Sequence, residues 1–575
     1  MAFHPLSIDS PSANAQTGLR SSVQHTALTS HRQTSFSVDA VVWPTRSISR
    51  LQALPLIFLG FLACSGATPA APSDHQKNAV VAGNVMKTCA SLVDAKVLSN
   101  AFDLPTGGAT IREAVLVAAT VNMPEYCRVR GGIAAAKSED PSILFQVNLP
   151  SRWNLKTVQY GGGGYNGVVI EATGPFRGGA LAKPALARGY VTYGSDSGHQ
   201  TPGDSFYGNQ QATANYSHEA VKKTKDLMSS LVKTYYGQGS RKNYHIGGSK
   251  GGQEGLQATQ RYANDFDGVV SFYPAAQNQS LRLGWNRLWH FAFNPSGGSL
   301  STAKQTLLKN SVMSACDGLD GAVDGIVSNV QACERTFKID SLRCQERTNH
   351  EDACLTDRQI LALKIAAKPF DFAHPMPNGI SAVGPWPVLI GGDNQLWFGT
   401  GEDGSQQGFY KASKVQPEAL ESTELNGMDW QAKILPIPKV FDASNPNLDG
   451  FKAKGGKLIL LQGTTDMLVP HTMTTNYFES LSQRYGSSNL KTFMRYYVVP
   501  GYGHGNGTFN MSWDSLAALD DWVENGAAPD APVAVDANEA SGQRQRPLCE
   551  YPTWPRYRGS GDMNRSASFE CATTH

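Results

Sequence analysis

Short apolar runs, punctuated by glycine-rich or polar turns, recur in two stretches of the chain. In the first, Ser142–Leu149, Lys156–Tyr160, Tyr190–Tyr193 and Asn243–Ile246 read as strands. In the second, Lys457–Leu461 and Phe493–Val499 do. Runs this short and this apolar suit strands buried on both faces of a parallel sheet. Ser217–Tyr235 reads as an amphipathic helix, and Gln253–Tyr262 as the start of another. Strands alternating with helices predict an α/β fold. Between about Ala276 and Ser444 the alternation fades, and loops carrying Trp285, Trp289, Trp386, Trp397, Phe398 and Trp430 take over. The expected organisation is a lead over 1–75, a first core part over 76–275, an inserted segment over 276–444 and a second core part over 445–575.

The lead has its own pattern. Residues 1–45 are rich in Ser, Thr, Gln and His without period, a composition that cannot bury much and is expected to stay disordered. Arg46 and Arg50 then border a 13-residue apolar stretch, Leu51–Ala63, with small residues from Cys64 to Ala71. Charged, apolar, then small is the plan of a signal peptide, and the stretch is short for a membrane span. Secretion or periplasmic export is expected, with a natural start nearer Val41. Phe61-Leu62-Ala63-Cys64 also resembles a bacterial lipobox, so lipid attachment at Cys64 stands beside the reading in which that cysteine is lost with the signal.

The candidate chemistry lies at strand ends. Gly247-Gly248-Ser249-Lys250-Gly251 fits G-x-S-x-G, between a predicted strand and a predicted helix. That is the context of a nucleophile elbow, where a strained turn presents the serine hydroxyl. The motif alone is common by chance, so the downstream partners decide. Lys457–Leu461 runs into Asp466, and Phe493–Val499 runs into His504. Serine, acid and histidine each follow a strand, in the α/β-hydrolase order. Ser249 would be the nucleophile, His504 its base and Asp466 the orienting carboxylate. Gly161-Gly162-Gly163-Gly164, after Lys156–Tyr160, would supply one oxyanion donor, assigned to Gly163, and the backbone N–H of Lys250 the other. The Lys250 side chain is expected to point to solvent. His199 and His218 lie outside the triad order and read as structural.

Charge and cysteines narrow the picture. Lys and Arg number 50 against 48 Asp and Glu, with no long block of one sign, which gives no electrostatic case for nucleic acid or an anionic membrane surface. Of the nine cysteines, eight remain without Cys64: Cys89, Cys127, Cys316, Cys333, Cys344, Cys354, Cys549 and Cys571. None has C-x-x-C spacing, which disfavours zinc and thioredoxin chemistry, and an even count in an exported chain suggests four disulfides.

Several motifs together resemble the tannase/feruloyl esterase family of α/β-hydrolases, from about Cys89 to Cys571. They include Ser195-Asp196-Ser197-Gly198-His199, Ser217-His218-Glu219, the elbow through Gly252, Val499-Pro500-Gly501-Tyr502-Gly503-His504 and Tyr557-Arg558-Gly559-Ser560-Gly561-Asp562. The resemblance implies an α/β-hydrolase core with the inserted segment as a lid, whose aromatics would suit aromatic acyl groups or simply form the lid's own core. It implies the pairs Cys89–Cys127, Cys316–Cys333, Cys344–Cys354 and Cys549–Cys571. It also implies a structural Ca²⁺ site in the lid, held by the side chains of Asp317, Asp320 and Asp324 and the carbonyls of Ala322 and Ile326, with no organic cofactor. Hard oxygen donors closely spaced on a loop are what that ion needs. One departure is plain: family members carry bridging cysteines where this chain has Gly248 and Gly505. Losing such a bridge would cost about 2–4 kcal/mol unless packing compensates.

The expected activity is hydrolysis of small esters of aromatic acids, of gallate, hydroxycinnamate or terephthalate/phthalate type, through an acyl-enzyme. Two rivals stand beside it: an amidase or peptidase using the same triad, and a non-catalytic ligand-binding relative.

Overall fold

A computed structural model describes residues 87–573 apart from 201–202, 204, 293–296, 346–351, 373 and 393–434. The leader, Cys64, Trp397, Phe398 and Trp430 lie outside the described residues, as does the side chain of Trp289.

Ten strands form one sheet. They are β1 (Lys96–Val97), β2 (Ala109–Val117), β3 (Tyr126–Ile133), β4 (Ile143–Pro150), β5 (Lys156–Tyr160), β6 (Val191–Ser195), β7 (Lys242–Gly248), β8 (Gly268–Phe272), β9 (Lys457–Gly463) and β10 (Met494–Val499). Their order is β1-β2-β3-β4-β6-β5-β7-β8-β9-β10. From β1 to β6 neighbours are antiparallel, and from β6 through β5 to β10 they are parallel. The α/β-hydrolase expectation is met.

All five residues of β8 are buried, as are the last six of β9; of the two, only β9 is expected from the sequence, through its apolar run Lys457–Leu461. Alternate residues of β9 feed opposite faces. Leu458 and Leu460 join a core with Leu256, Phe266 and Tyr477, while Ile459 and Leu461 join one with Ile246, Phe272 and Trp522. Helices α1 (Ala220–Tyr236), α2 (Lys250–Arg261), α3 (His471–Tyr485) and α4 (Ser515–Asn525) accompany the parallel half.

No apolar run marks β2 and β3 in the sequence. Each mixes buried and part-exposed positions, and β2 reads A-T-I-R-E-A-V-L-V with a register shift between Ile111 and Glu113. An antiparallel strand with a wet face shows no continuous apolar run.

The topology creates a crevice. The chain runs from β5 to β6 on one side, then returns past β5 to β7 on the other. Ligands bind open α/β sheets at such a reversal, beyond the C-terminal strand ends. Here the glycine loop after β5 and the elbow after β7 become neighbours, with Tyr160 paired to Ile246.

Between β8 and β9 the chain leaves the sheet for an inserted segment with helices at Asn278–Ala292, Thr302–Cys316, Val330–Thr336 and Asp357–Ala366. Its core includes Leu281, Leu308, Leu363, Trp285 and Trp386, and it reaches Met467, Val469 and Met473 of the main body. Trp285 and Trp386 thus serve the segment's own packing. The four expected disulfides are formed: Cys89–Cys127, Cys316–Cys333, Cys344–Cys354 and Cys549–Cys571. Among the described residues no helix is long and apolar enough to cross a membrane.

Candidate active site

Ser249 sits between β7 and α2 with φ 58° and ψ −118°, a conformation an L-residue adopts only under strain. The strain is held by the backbone. The Ser249 N–H donates to the Phe272 carbonyl at 3.0 Å, and its own carbonyl accepts from Gln253 and Ala275. Side chains have no room here: a Cβ on Gly247 would stand 2.6 Å from the backbone of Gly251, and one on Gly251 would stand 2.7 Å from the Gly162 carbonyl. Helix α2 begins at Lys250, three residues earlier than the sequence suggested, because the serine itself occupies the position before the first turn.

Asp466 follows β9 and is fully buried. One carboxylate oxygen accepts the N–H groups of Leu468 and Val469 at 2.9 Å each; the other accepts Gln462 Nε2 at 3.1 Å and faces His504 Nδ1 at 2.9 Å. Four donors fix the carboxylate, and the carboxylate fixes the imidazole. His504 follows β10 on a tight loop in which the Gly503 N–H donates to Asn506 O at 2.6 Å. The structure therefore brings the acid and the histidine into contact at the same sheet edge as the serine elbow.

The gap that a bridge between residues 248 and 505 would fill holds Tyr273. A Cβ on Gly248 would meet the Tyr273 ring and hydroxyl at 2.7 Å, and a Cβ on Gly505 would meet the hydroxyl at 2.8 Å. The tyrosine is buried, and its ring lies 4.6 Å from that of His504. Packing thus joins the elbow to the histidine loop without a covalent bond.

Lys250 departs from expectation. Its side chain is buried, with Nζ against Glu254 Oε1 and 4.6 Å from the centre of the Tyr216 ring. The reason lies one helical turn on: Glu254 is itself buried, and a buried carboxylate requires a charged or hydrogen-bonded partner at i−4 or elsewhere. Burial holds the Lys250 ammonium below its ordinary pKa, against the pull of Glu254. Glu254 also accepts the Gly162 N–H at 3.0 Å and the Ser197 hydroxyl at 3.4 Å, and the Gly251 N–H donates to Gly162 O at 2.9 Å. These contacts hold the glycine loop onto α2. They also engage the amide of Gly162, whereas those of Gly163 and Lys250 donate no hydrogen bond among the described residues.

His199 and His218 are built into the scaffold. His199 Nε2 meets Tyr165 O at 2.7 Å inside an aromatic group with Phe206 and Tyr216. His218 Nδ1 meets the Tyr262 hydroxyl at 2.7 Å, and burial pushes its pKa down to about 4.

In the insert, the acidic loop closes on itself. Asp317 accepts the N–H groups of Asp324 and Gly325, Asp320 those of Ala322 and Ser328, and Asp324 that of Ile326. The Arg546 guanidinium reaches Asp324 Oδ2. Asp320 is buried, which pushes its carboxyl up to about 6, and it forms no ion pair among the described residues. The donors are of the hard type that calcium takes. As placed, however, no three His, Cys, Asp or Glu side chains among the described residues gather as a metal-binding set.

The family model for tannase and feruloyl esterase matches residues 127–572. The chain belongs to this family. Like other members it is a carboxylic ester hydrolase. An uncharacterised esterase of Agrobacterium fabrum is 36% identical over 517 residues, covering 85% of this chain and 94% of that one. The mono(2-hydroxyethyl) terephthalate hydrolase of Piscinibacter sakaiensis is 30% identical over 528 residues, covering 80% and 87%. Among solved structures, feruloyl esterase B from Aspergillus oryzae superposes with a TM-score of 0.68 at 24% identity, covering 81% of this chain and 97% of that one, a likeness of fold.

Sequence reasoning missed Tyr273 and Glu254, which the structure places beside the candidate site. Glu254 stands five residues after Ser249, on the face of α2 turned to the glycine loop, and that spacing is the available signal.

Proposed function

We propose that the chain is an exported serine esterase that cleaves esters of aromatic acids through an acyl-enzyme. The observation that carries the reading is the His504 Nδ1–Asp466 Oδ2 contact of 2.9 Å at the edge where the Ser249 elbow opens. With its Nδ1 proton directed at Asp466, His504 presents Nε2 as the base that takes the Ser249 proton. Ser249 Oγ attacks the ester carbonyl, and the amides of Gly163 and Lys250 hold the oxyanion. His504 returns the proton to the leaving alcohol and then activates water against the acyl-serine.

The acyl preference rests on relatives named for terephthalate and ferulate esters. Export rests on the charged, apolar, small plan of the lead and on four disulfides, which suit an oxidising compartment. Lipid attachment at Cys64 belongs to the same reading of the lead. Calcium in the loop of Asp317, Asp320 and Asp324, with the carbonyls of Ala322 and Ile326, is a structural role that requires the carboxylates to turn inward from the amides they now accept. A rise in melting temperature with added calcium, reversed by chelator, supports that role; no shift removes it.

The deciding experiment is turnover of methyl gallate, methyl ferulate, a terephthalate half-ester and a short aliphatic ester by the mature protein and its Ser249→Ala variant. Turnover lost in Ser249→Ala, with an acyl adduct on Ser249 trapped by mass spectrometry, supports the proposal. A folded protein that cleaves none of them refutes it.

A further inference from the structure

A guanidinium with no counter-charge among the described residues stands beside the glycine loop of the site. Arg177 is exposed and, among the described residues, donates no hydrogen bond and forms no ion pair. Its Nη2 is 4.0 Å from where a Cβ would stand on Gly163, the nearest atom to that position. On another side its charge bears on Tyr273, the ring packed against His504. Burial pushes the Tyr273 hydroxyl up to about 12, and Arg177 opposes that rise. Arg177 therefore lies near both the glycine loop and the histidine end of the site.

The turn that carries it is pinned. Gly178 has φ +67°, and a Cβ there would stand 2.3 Å from the Phe272 ring, so the turn rests directly on Phe272. Phe272 is the residue whose carbonyl accepts the N–H of Ser249. From the other side the Trp513 N–H donates to Gly178 O at 2.8 Å, and the Leu181 N–H donates to Ser512 Oγ at 2.9 Å. Phe176 is buried beneath. The backbone of Arg177 is thus referenced to the nucleophile, unlike that of an arginine on a free surface loop.

Charge completes the argument. Lys250, the cation next to the serine in sequence, is matched by Glu254. Arg177 is not matched among the described residues. A guanidinium carried on a pinned turn beside an ester-cleaving site, with no ion pair among the described residues, attracts anions and can bind a carboxylate through a planar, two-pronged pair of hydrogen bonds.

We propose that Arg177 recognises an ionised carboxylate on the substrate, so that the preferred esters carry a free acid group besides the bond that is cut. The inference rests on the esterase reading and deepens it. The carboxylate can belong to the acyl part, as in a half-ester of an aromatic diacid, or to the alcohol part, as in a hydroxycinnamate ester of a hydroxy acid.

Two substrate pairs separate these sources: monomethyl terephthalate with dimethyl terephthalate, and chlorogenate with its methyl ester. The readout is the ratio of kcat/KM for acid over neutral ester, in the wild type, Arg177→Gln and Arg177→Glu. In one pair the ratio falls about 10- to 100-fold in Arg177→Gln, the scale of a lost charge-assisted hydrogen bond, and further in Arg177→Glu. The pair that responds names the side. A ratio unchanged in both pairs overturns the proposal, as does an equal loss on acid and neutral ester, which marks a structural role. Calorimetric binding of terephthalate and chlorogenate to Ser249→Ala, with and without Arg177→Gln, gives a second readout free of turnover. If the wild type cleaves no ester, the esterase reading fails by itself, and this binding measurement still decides Arg177: weaker binding of either acid in the double variant upholds anion recognition, and equal binding of both ends it.

Discussion

The ring of Tyr273 lies 4.6 Å from the imidazole of His504 and fills the space that side chains at residues 248 and 505 would need. Relatives are expected to join these two loops through sulfur; this chain joins them through an aromatic wedge. Tyr273 has φ 33°, so its backbone is itself held in an uncommon conformation, with its N–H donating to Leu461 O at 2.7 Å.

If the wedge positions the histidine, Tyr273→Ala lowers kcat by more than its effect on KM, while Tyr273→Phe keeps the ring and stays close to wild type. Gly248→Ala and Gly505→Ala each drive a methyl group into Tyr273 and lose about 1–3 kcal/mol, read as a lower denaturation midpoint. Gly505→Ala also meets the strain of a φ of +91°. Wild-type stability in both glycine variants would mean that the wedge yields easily.

Glu254 links α2 to the glycine loop through the Gly162 N–H. Replacing it with Ala leaves that amide and the buried ammonium of Lys250 without their partner. Steady-state kinetics should show kcat down by about 10- to 1,000-fold with KM little changed, because oxyanion donors act in the transition state. Glu254→Gln retains an acceptor for Gly162 and should lose less. A change confined to KM would reassign the loop to substrate binding.

Buried and half-buried neutral histidines give the protein an acid limit. Burial pushes His218, His245 and His471 down to about 4 from an ordinary 6.5. A depressed pKa means that the unfolded chain takes up protons first. The stability these residues contribute is complete above about pH 6.5 and drains away as pH falls toward 4. Asp442 works in the opposite sense, since burial pushes it up to about 8 and its cost grows as pH rises from 3.8 to that value. Chemical unfolding at steps from pH 7 to pH 5 should show a shallower acid slope in His218→Gln than in the wild type. Parallel slopes would remove His218 from the account.

The Cys549–Cys571 bridge closes a sequence separation of 22 beside the two-stranded pair Trp554–Tyr557 and Phe569–Ala572. Its removal in a Cys549→Ala/Cys571→Ala double variant should lower unfolding free energy by about 3 kcal/mol. Urea titration reads this directly, and an unchanged midpoint would show that the paired strands hold the segment alone.

Much of the core was legible because its strands are buried on both faces. Lys156–Tyr160 is legible to the residue, and the proposed triad rests on three side chains that each succeed a strand. The half-wet strand β2, and β3 with Arg128 and Arg130, leave no such trace. Lys250 was misplaced because its charge suggested solvent, while the answer, Glu254, stood four residues along. Tyr273 and Arg177 carry no local signal at all, since their roles arise only when segments far apart in the chain are packed together.

The insertion between β8 and β9 has a consequence for the order of assembly. Residue 268 pairs with residue 457, so the sheet must close a loop of well over a hundred residues before β9 is added, a slow, non-local step. Only β9 and β10 bring Asp466 and His504 to the elbow. The proposed nucleophile is thus synthesised early, and its two proposed partners reach the elbow only when the sheet is complete: on that reading a nascent or half-folded chain carries a chemically idle hydroxyl.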